Sequence, residues 1–193
     1  MRDWNHLYKK IGPLRYQSST SDCVPTTIIN GLMVLLEDRL HPKLLQLIWT
    51  LSGDQDYHGG TGWVCCDTLA VLLNKWFNRA HQDKRERGPL PFNSKIIEGD
   101  TVNLDPRGKL LRCLKNGGVA CLVTGKNSDH YSLIVGIEEE TFLGFDCWWD
   151  TKTTQSSVKD FDLYKGMVNI IWTRKELEVE LRRSEWVHIL SRQ

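Results

Sequence analysis

The chain contains no long apolar run. None approaches the roughly 18–20 residues that a helical membrane span needs, and the opening MRDWNHLYKKIG carries no apolar stretch of signal-peptide length. An excess of charge of either sign is also missing. Lys and Arg total 25 against 24 Asp and Glu, a formal net charge of +1, which argues against a broad basic face for nucleic acid or acidic lipid. No CxxC or HxxxH spacing marks a zinc site, and no phosphate-binding glycine loop of the P-loop or Rossmann type is present. Repeats and low-complexity tracts are absent as well. From these absences we expect a soluble chain that stays in the cytoplasm unless a signal-independent system exports it. We expect no nucleic-acid partner, no membrane, no metal and no cofactor; the oligomeric state is not readable.

What is present suits one domain over 1–193. The chain has 193 residues, 40% of them hydrophobic, with 8 Trp and 25% charged residues. That composition excludes a disordered protein, and the length allows one core that needs no disulfide or metal. The six cysteines are Cys23, Cys65, Cys66, Cys113, Cys121 and Cys147. No secretory signal points to an oxidising compartment, so disulfides are not expected. Cys113, Cys121 and Cys147 lie in apolar, periodic segments and read as small buried hydrophobes. At least one of the adjacent Cys65 and Cys66 should face a core.

Residues 1–16 read as mixed chain with a turn at Gly12-Pro13, and 17–22 as a polar loop. Ile28, Ile29, Leu32, Leu35 and Leu36 then recur at helical spacing, predicting a helix from Cys23 to Glu37. Asp22 or Ser21 can cap it, and Pro25 is tolerated in its first turn. A second helix fits 43–51, a loop 52–62, a third helix 63–79 and an exposed connection 80–94. The second half changes character. A short strand fits Lys95–Ile97, and Asp105-Pro106 opens a helix over 107–116 that Gly117-Gly118 stops. Strands fit 119–124, 130–137, 141–148, 167–172 and 185–191, with a short helix at 174–183. The prediction is an α+β fold, a helical half over about 1–94 and an antiparallel sheet half over about 95–193.

Cys23 stands apart from the other cysteines. It follows a polar loop and opens a helix, where unpaired N–H groups and the positive end of the helix dipole favour a thiolate. Such a nucleophile needs a base able to protonate a leaving group near neutral pH. His130, opening a strand at the mouth of a hairpin, is the best placed of the six histidines; His58 in a Gly-rich loop is the second candidate. With a hairpin turn near Glu138 or Glu139, Asp146 falls opposite His130 or one diagonal step away. The sixteen-residue separation is even, consistent with one face of the sheet under a regular turn. A carboxylate there fixes the imidazole tautomer. Gln17, six residues before Cys23, can offer its amide, beside the Cys23 backbone N–H, to a developing oxyanion.

Taken together, QSSTSDCVPTTIINGL, DHYSLIVGI and FLGFDCWW resemble the papain-like cysteine peptidase superfamily, in particular the branch of bacteriocin-processing peptidases that cut after double-glycine leaders. That branch shows a Gln, a six-residue step to Asp-Cys at the start of the first long helix, a His opening a strand and an Asp closing the next. Gln17, Asp22, Cys23, His130 and Asp146 match those positions, over roughly 17–36 and 118–149. The resemblance implies a papain-like fold with the active site in a cleft between the two halves. It implies a peptide or protein substrate and cleavage of an amide by a Cys23–His130–Asp146 triad with Gln17 as oxyanion donor. The same triad also serves acyl transfer of the transglutaminase, deamidase or phytochelatin-synthase kind. A non-catalytic module that retains the fold has no need of all four residues. One indole of Trp148-Trp149 either covers the His–Asp pair or anchors the strand end. The loop 52–62 either borders the groove or only connects, and the run 83–87 reads as solvated surface.

Overall fold

The computed structural model describes residues 2–19, 21–52, 92–124, 130–148, 164, 166–184 and 186–192. Expectations for the loop 53–62, the helix 63–79, the connection 80–91, His58, Cys65, Cys66 and Trp149 fall outside them.

The opening residues, expected to be irregular, instead form helix α1, Trp4–Ile11. Asp3 caps it by accepting from the His6 N–H at 2.9 Å, and Gly12, at φ 76°, ends it. Trp4, Leu7 and Ile11 make one buried stripe. Helix α2 spans Cys23–Leu36, and every side chain from Val24 to Leu35 is buried. It is apolar all round because it is covered all round. On one side it lies against the sheet, where Gly31 permits a close approach: a Cβ there would stand 3.2 Å from the Leu133 side chain and 3.4 Å from those of Leu190 and Val119. Helix α3, Pro42–Ser52, packs beside it through Leu44 and Ile48.

Among the described residues six strands form one sheet: β1 Phe92–Glu98, β2 Val119–Thr124, β3 His130–Glu138, β4 Thr141–Asp146, β5 Ile170–Thr173 and β6 Trp186–Arg192. Their order is β1-β6-β2-β3-β4-β5, and every pairing is antiparallel. β2 is buried along its whole length because both faces of the sheet are covered. Helices α4, Lys109–Lys115, and α5, Arg174–Arg183, close the face opposite α2. Leu110, Leu114, Leu177 and Leu181 there meet Ala120, Leu122, Ile134 and Phe142. The fold is α+β, as the order of helices and strands predicts, with helices on both faces of the sheet. No helix among the described residues is long and apolar enough to cross a membrane.

Several boundaries differ from the expected ones. β1 begins at Phe92, so the last residues of the expected connection 80–94 belong to an edge strand. α4 starts at Lys109 rather than 107, because Asp105 forms a turn instead of a cap: its carboxylate accepts from Arg107 N–H at 2.7 Å and its carbonyl from Gly108 N–H at 2.8 Å. Gly117, at φ 77°, does end α4, with the Gly118 N–H returning to the Cys113 carbonyl at 2.9 Å. β4 stops at Asp146, two residues short of its expected end.

The β3–β4 hairpin turns at Glu139-Glu140 and pairs Glu138 with Thr141. Continued regularly, that register would set Asp146 opposite Leu133, on the face away from His130. A bulge intervenes: Ile134 pairs with Gly144 and Gly136 with Leu143, leaving Val135 as an extra residue on β3. Asp146 therefore pairs with Ser132 and shares a face with His130, one diagonal step away. The expected juxtaposition is present, but through a bulge and not a regular turn.

Candidate active site

Cys23 is the first residue of α2 and is partly exposed. Asp22 occupies the N-cap position yet makes no side-chain cap to α2, contrary to expectation. Its carboxylate turns back to the preceding loop. It accepts from the Ser18 N–H at 2.9 Å, the Ser18 hydroxyl at 2.7 Å and the Ser19 N–H at 3.0 Å. Burial pushes the Asp22 carboxyl up, but these hydrogen bonds outweigh it and hold the group below the usual carboxylate range. The amino end of α2 is thus left open toward Cys23 while the loop before it is tied down.

His130 stands between Cys23 and Asp146. Its Nε2 lies 2.6 Å from Asp146 Oδ1, and the Cys23 side chain is the other polar group that acts on its ring. Burial would lower the His130 pKa, but the hydrogen bonds and negative charges of Asp146 and Cys23 prevail and raise it to about 9. The ring is therefore an imidazolium at neutral pH. Trp148 packs edge-on against it, ring centroids 6.0 Å apart, and the Trp148 main-chain N–H donates to Asp146 Oδ1 at 2.8 Å. Of the two readings of the tandem tryptophans, Trp148 covers the imidazole.

Gln17 is buried, 4% exposed. Two main-chain ties fix its loop. Asn30 of α2 accepts from Arg15 N–H at 2.9 Å and donates to Arg15 carbonyl at 2.8 Å, and Gln17 N–H donates to Cys147 carbonyl at 2.8 Å. The Gln17 amide donates from Nε2 to Ser19 carbonyl at 2.7 Å, and its Oε1 accepts from the Cys147 thiol at 3.3 Å. The loop carrying Gln17, the helix carrying Cys23 and the strand ends carrying His130 and Asp146 thus meet at one place.

Two residues at this place went unnoticed in the sequence. Asn169 is buried and grips the main chain of Asp146 from both sides, accepting from its N–H at 2.7 Å and donating to its carbonyl at 2.8 Å. Its signal was a lone amide inside the apolar run MVNIIW. Cys147 is fully buried, as expected of a small hydrophobe, but its sulfur also touches Gln17 and Thr27. Nothing in the sequence brings it to Gln17, 130 residues away.

No family model matches the chain, and no curated protein matches it. Solved structures similar to it include two peptidases. One is the peptidase domain of Streptococcus ComA, a bi-functional ABC transporter involved in a quorum-sensing pathway. It is 15% identical over 94% of this chain and 98% of that one, with a TM-score of 0.49. The other is a double-glycine-motif protease from an AMS/PCAT transporter, in complex with the leader peptide. It is 9% identical over 95% of this chain and 93% of that one, with a TM-score of 0.48. Both neighbours are peptidases from transporters.

The chemistry open to the site follows from its groups. The Cys23 sulfur sits at the positive, amino end of the α2 dipole and beside a cationic imidazole. The imidazolium can return a proton to a leaving group, and Asp146 holds its orientation. One nitrogen, oxygen and sulfur from His130, Asp146 and Cys147 also lie within 4.8 Å of one another. Within that trio Nε2 and Oδ1 are hydrogen-bonded to each other.

Proposed function

We propose that this chain is a cysteine peptidase or isopeptidase that cleaves an amide through Cys23, His130 and Asp146. The observation that supports the reading is the His130 ring held at 2.6 Å by Asp146 Oδ1 while the Cys23 side chain acts on the same ring. The Cys23 sulfur attacks the carbonyl carbon, and the carbonyl π electrons move onto oxygen. The Cys23 N–H and the Gln17 amide donate to that oxyanion. As it collapses, the carbon–nitrogen bond breaks and His130 gives its proton to the departing amine, leaving a thioester on Cys23. Water then attacks the thioester while His130 takes its proton, and the carboxylic acid leaves with the thiolate restored. Asp146 fixes the ring throughout. Peptides with a double glycine are the first substrates to test, since the motif set resembles peptidases of that preference.

The test is trapping with a thiol-directed electrophile, followed by mapping of the labelled residue. Cys23 is expected to react before the other five thiols at neutral pH, and Cys23→Ala to abolish peptide cleavage in a protein that still folds. His130→Ala is expected to do the same. Preferential labelling elsewhere, or cleavage that survives Cys23→Ala, would exclude the mechanism. Added amine separates hydrolysis from acyl transfer by the product formed.

A further inference from the structure

Whether Gln17 can serve an oxyanion depends on which way round its amide sits, because only the nitrogen end donates. The two orientations differ by a half-turn and have nearly the same shape, so the neighbours decide. On one side is the Ser19 carbonyl at 2.7 Å, which only accepts. On the other is the Cys147 sulfur at 3.3 Å. A thiolate there would draw the NH2 end toward itself and reverse the amide.

The surroundings keep that sulfur protonated. Cys147 is fully buried, which pushes its thiol up; the Thr27 hydrogen bond works the other way but is outweighed, and the negative charges of Cys23, Asp146 and Asp22 push the thiol further up. It faces the Thr27 hydroxyl at 3.4 Å and the carbonyls of Cys23 and Tyr131, each at 3.7 Å. The Thr27 hydroxyl already donates its one hydrogen to the Tyr131 carbonyl at 3.0 Å. The sulfur has one hydrogen, and among its neighbours the Gln17 amide at 3.3 Å is nearer than either carbonyl at 3.7 Å, so the S–H is directed to Gln17. With a donor on one side and an acceptor on the other, one orientation remains: Oε1 on Cys147, and Nε2 on Ser19 with its second hydrogen used by neither.

We infer that Cys147 is a positioning residue, whose buried S–H holds the Gln17 amide nitrogen-outward as an oxyanion donor. The inference rests on the peptidase reading above. It is tested on the full chain with two probes that attack the same sulfur. p-Nitrophenyl acetate acylates Cys23 through an oxyanion: sulfur bonds to the carbonyl carbon, the carbon–oxygen bond breaks and p-nitrophenolate leaves. Iodoacetamide alkylates the same sulfur by displacing iodide and builds no oxyanion.

Cys147→Ala is expected to slow acylation roughly 3- to 10-fold, well short of the 10²–10³ that loss of an oxyanion donor costs. Alkylation of Cys23 should stay within about 2-fold of wild type, as no oxyanion is involved. Cys147→Ser, which keeps a donor, should restore acylation, and Cys147→Ala should add nothing in a Gln17→Ala background. The inference is overturned if Cys147→Ala acylates at the wild-type rate. It is also overturned if acylation slows equally with and without Gln17, or if alkylation slows as much as acylation. Wild-type protein whose Cys23 does not acylate would remove the peptidase reading, and the inference with it. Normal wild-type acylation that ignores Cys147→Ala removes the inference alone.

Discussion

Replacing Asp146 with Asn keeps an acceptor at the position of Oδ1 but removes its charge. The His130 pKa of about 9 lies well above the ordinary 6.5. The difference corresponds to roughly 3 kcal/mol in favour of the imidazolium. The two side chains are only 17% and 15% exposed, so solvent screening reduces this little. Burial opposes the shift, and Asp146 is the first of the groups that overcome it. Asp146→Asn should therefore bring His130 down to about 7 or below. The sign for stability follows from the raised value. The contribution is fully present below pH 6.5 and is lost as pH rises through about 9. Wild type should lose stability across that window by an amount that Asp146→Asn does not. Histidine-labelled protein, with the His130 signal assigned from His130→Gln, gives the titration directly by NMR, and urea unfolding at pH 6 and pH 10 gives the linked stability. A wild-type His130 that titrates at 6.5, or a titration unmoved by Asp146→Asn, would refute the electrostatic account. Peptide cleavage should show the same alkaline limb near 9, since the neutral ring cannot protonate the leaving amine.

Asn169→Ala removes both ties to the Asp146 main chain. It should cost about 1–3 kcal/mol in chemical denaturation and lower cleavage more through kcat than KM. Gly31→Val would force branched atoms against Leu133, Leu190 and Val119. We expect a loss of about 1–3 kcal/mol, measured by urea unfolding, with Gly31→Ala milder. Asp3→Ala removes the α1 cap and should lower stability by about 1 kcal/mol in the same assay, leaving Cys23 alkylation unchanged.

The elements legible in the sequence were those whose signal is local and periodic. The apolar recurrence of α2, the buried run of β2 and the two strands around Glu139-Glu140 all lie close to where they were read. α1 was missed although Asp3, the Trp4–Leu7–Ile11 spacing and Gly12 were all present. At two turns it is short, and the turn residues after it dominated the reading. The start of α4 moved because Asp105 supports a turn, whereas Asp22 keeps the N-cap position of α2 while its side chain ties a loop. Gln17, Cys23, His130 and Asp146 stand out in the sequence because order and spacing are sequence properties, and the fold brings the segments that carry them together. Cys147 and Asn169 were not, because their contacts exist only once the loop before α2 and the strand β5 have docked.

The extra residue on β3 has an architectural consequence. A strand has two sides, so a count of residues between an acid and a base across a hairpin does not say whether they can meet. The tip at Glu139-Glu140 lies beyond Val135, and lengthening it leaves the lower rungs in place. Deleting Val135 spares no such freedom: either the three rungs nearest the tip or the three nearest the imidazole must rotate to the opposite side. A comparison of related chains that aligns only the His and the Asp would pass over the one position on which their meeting depends.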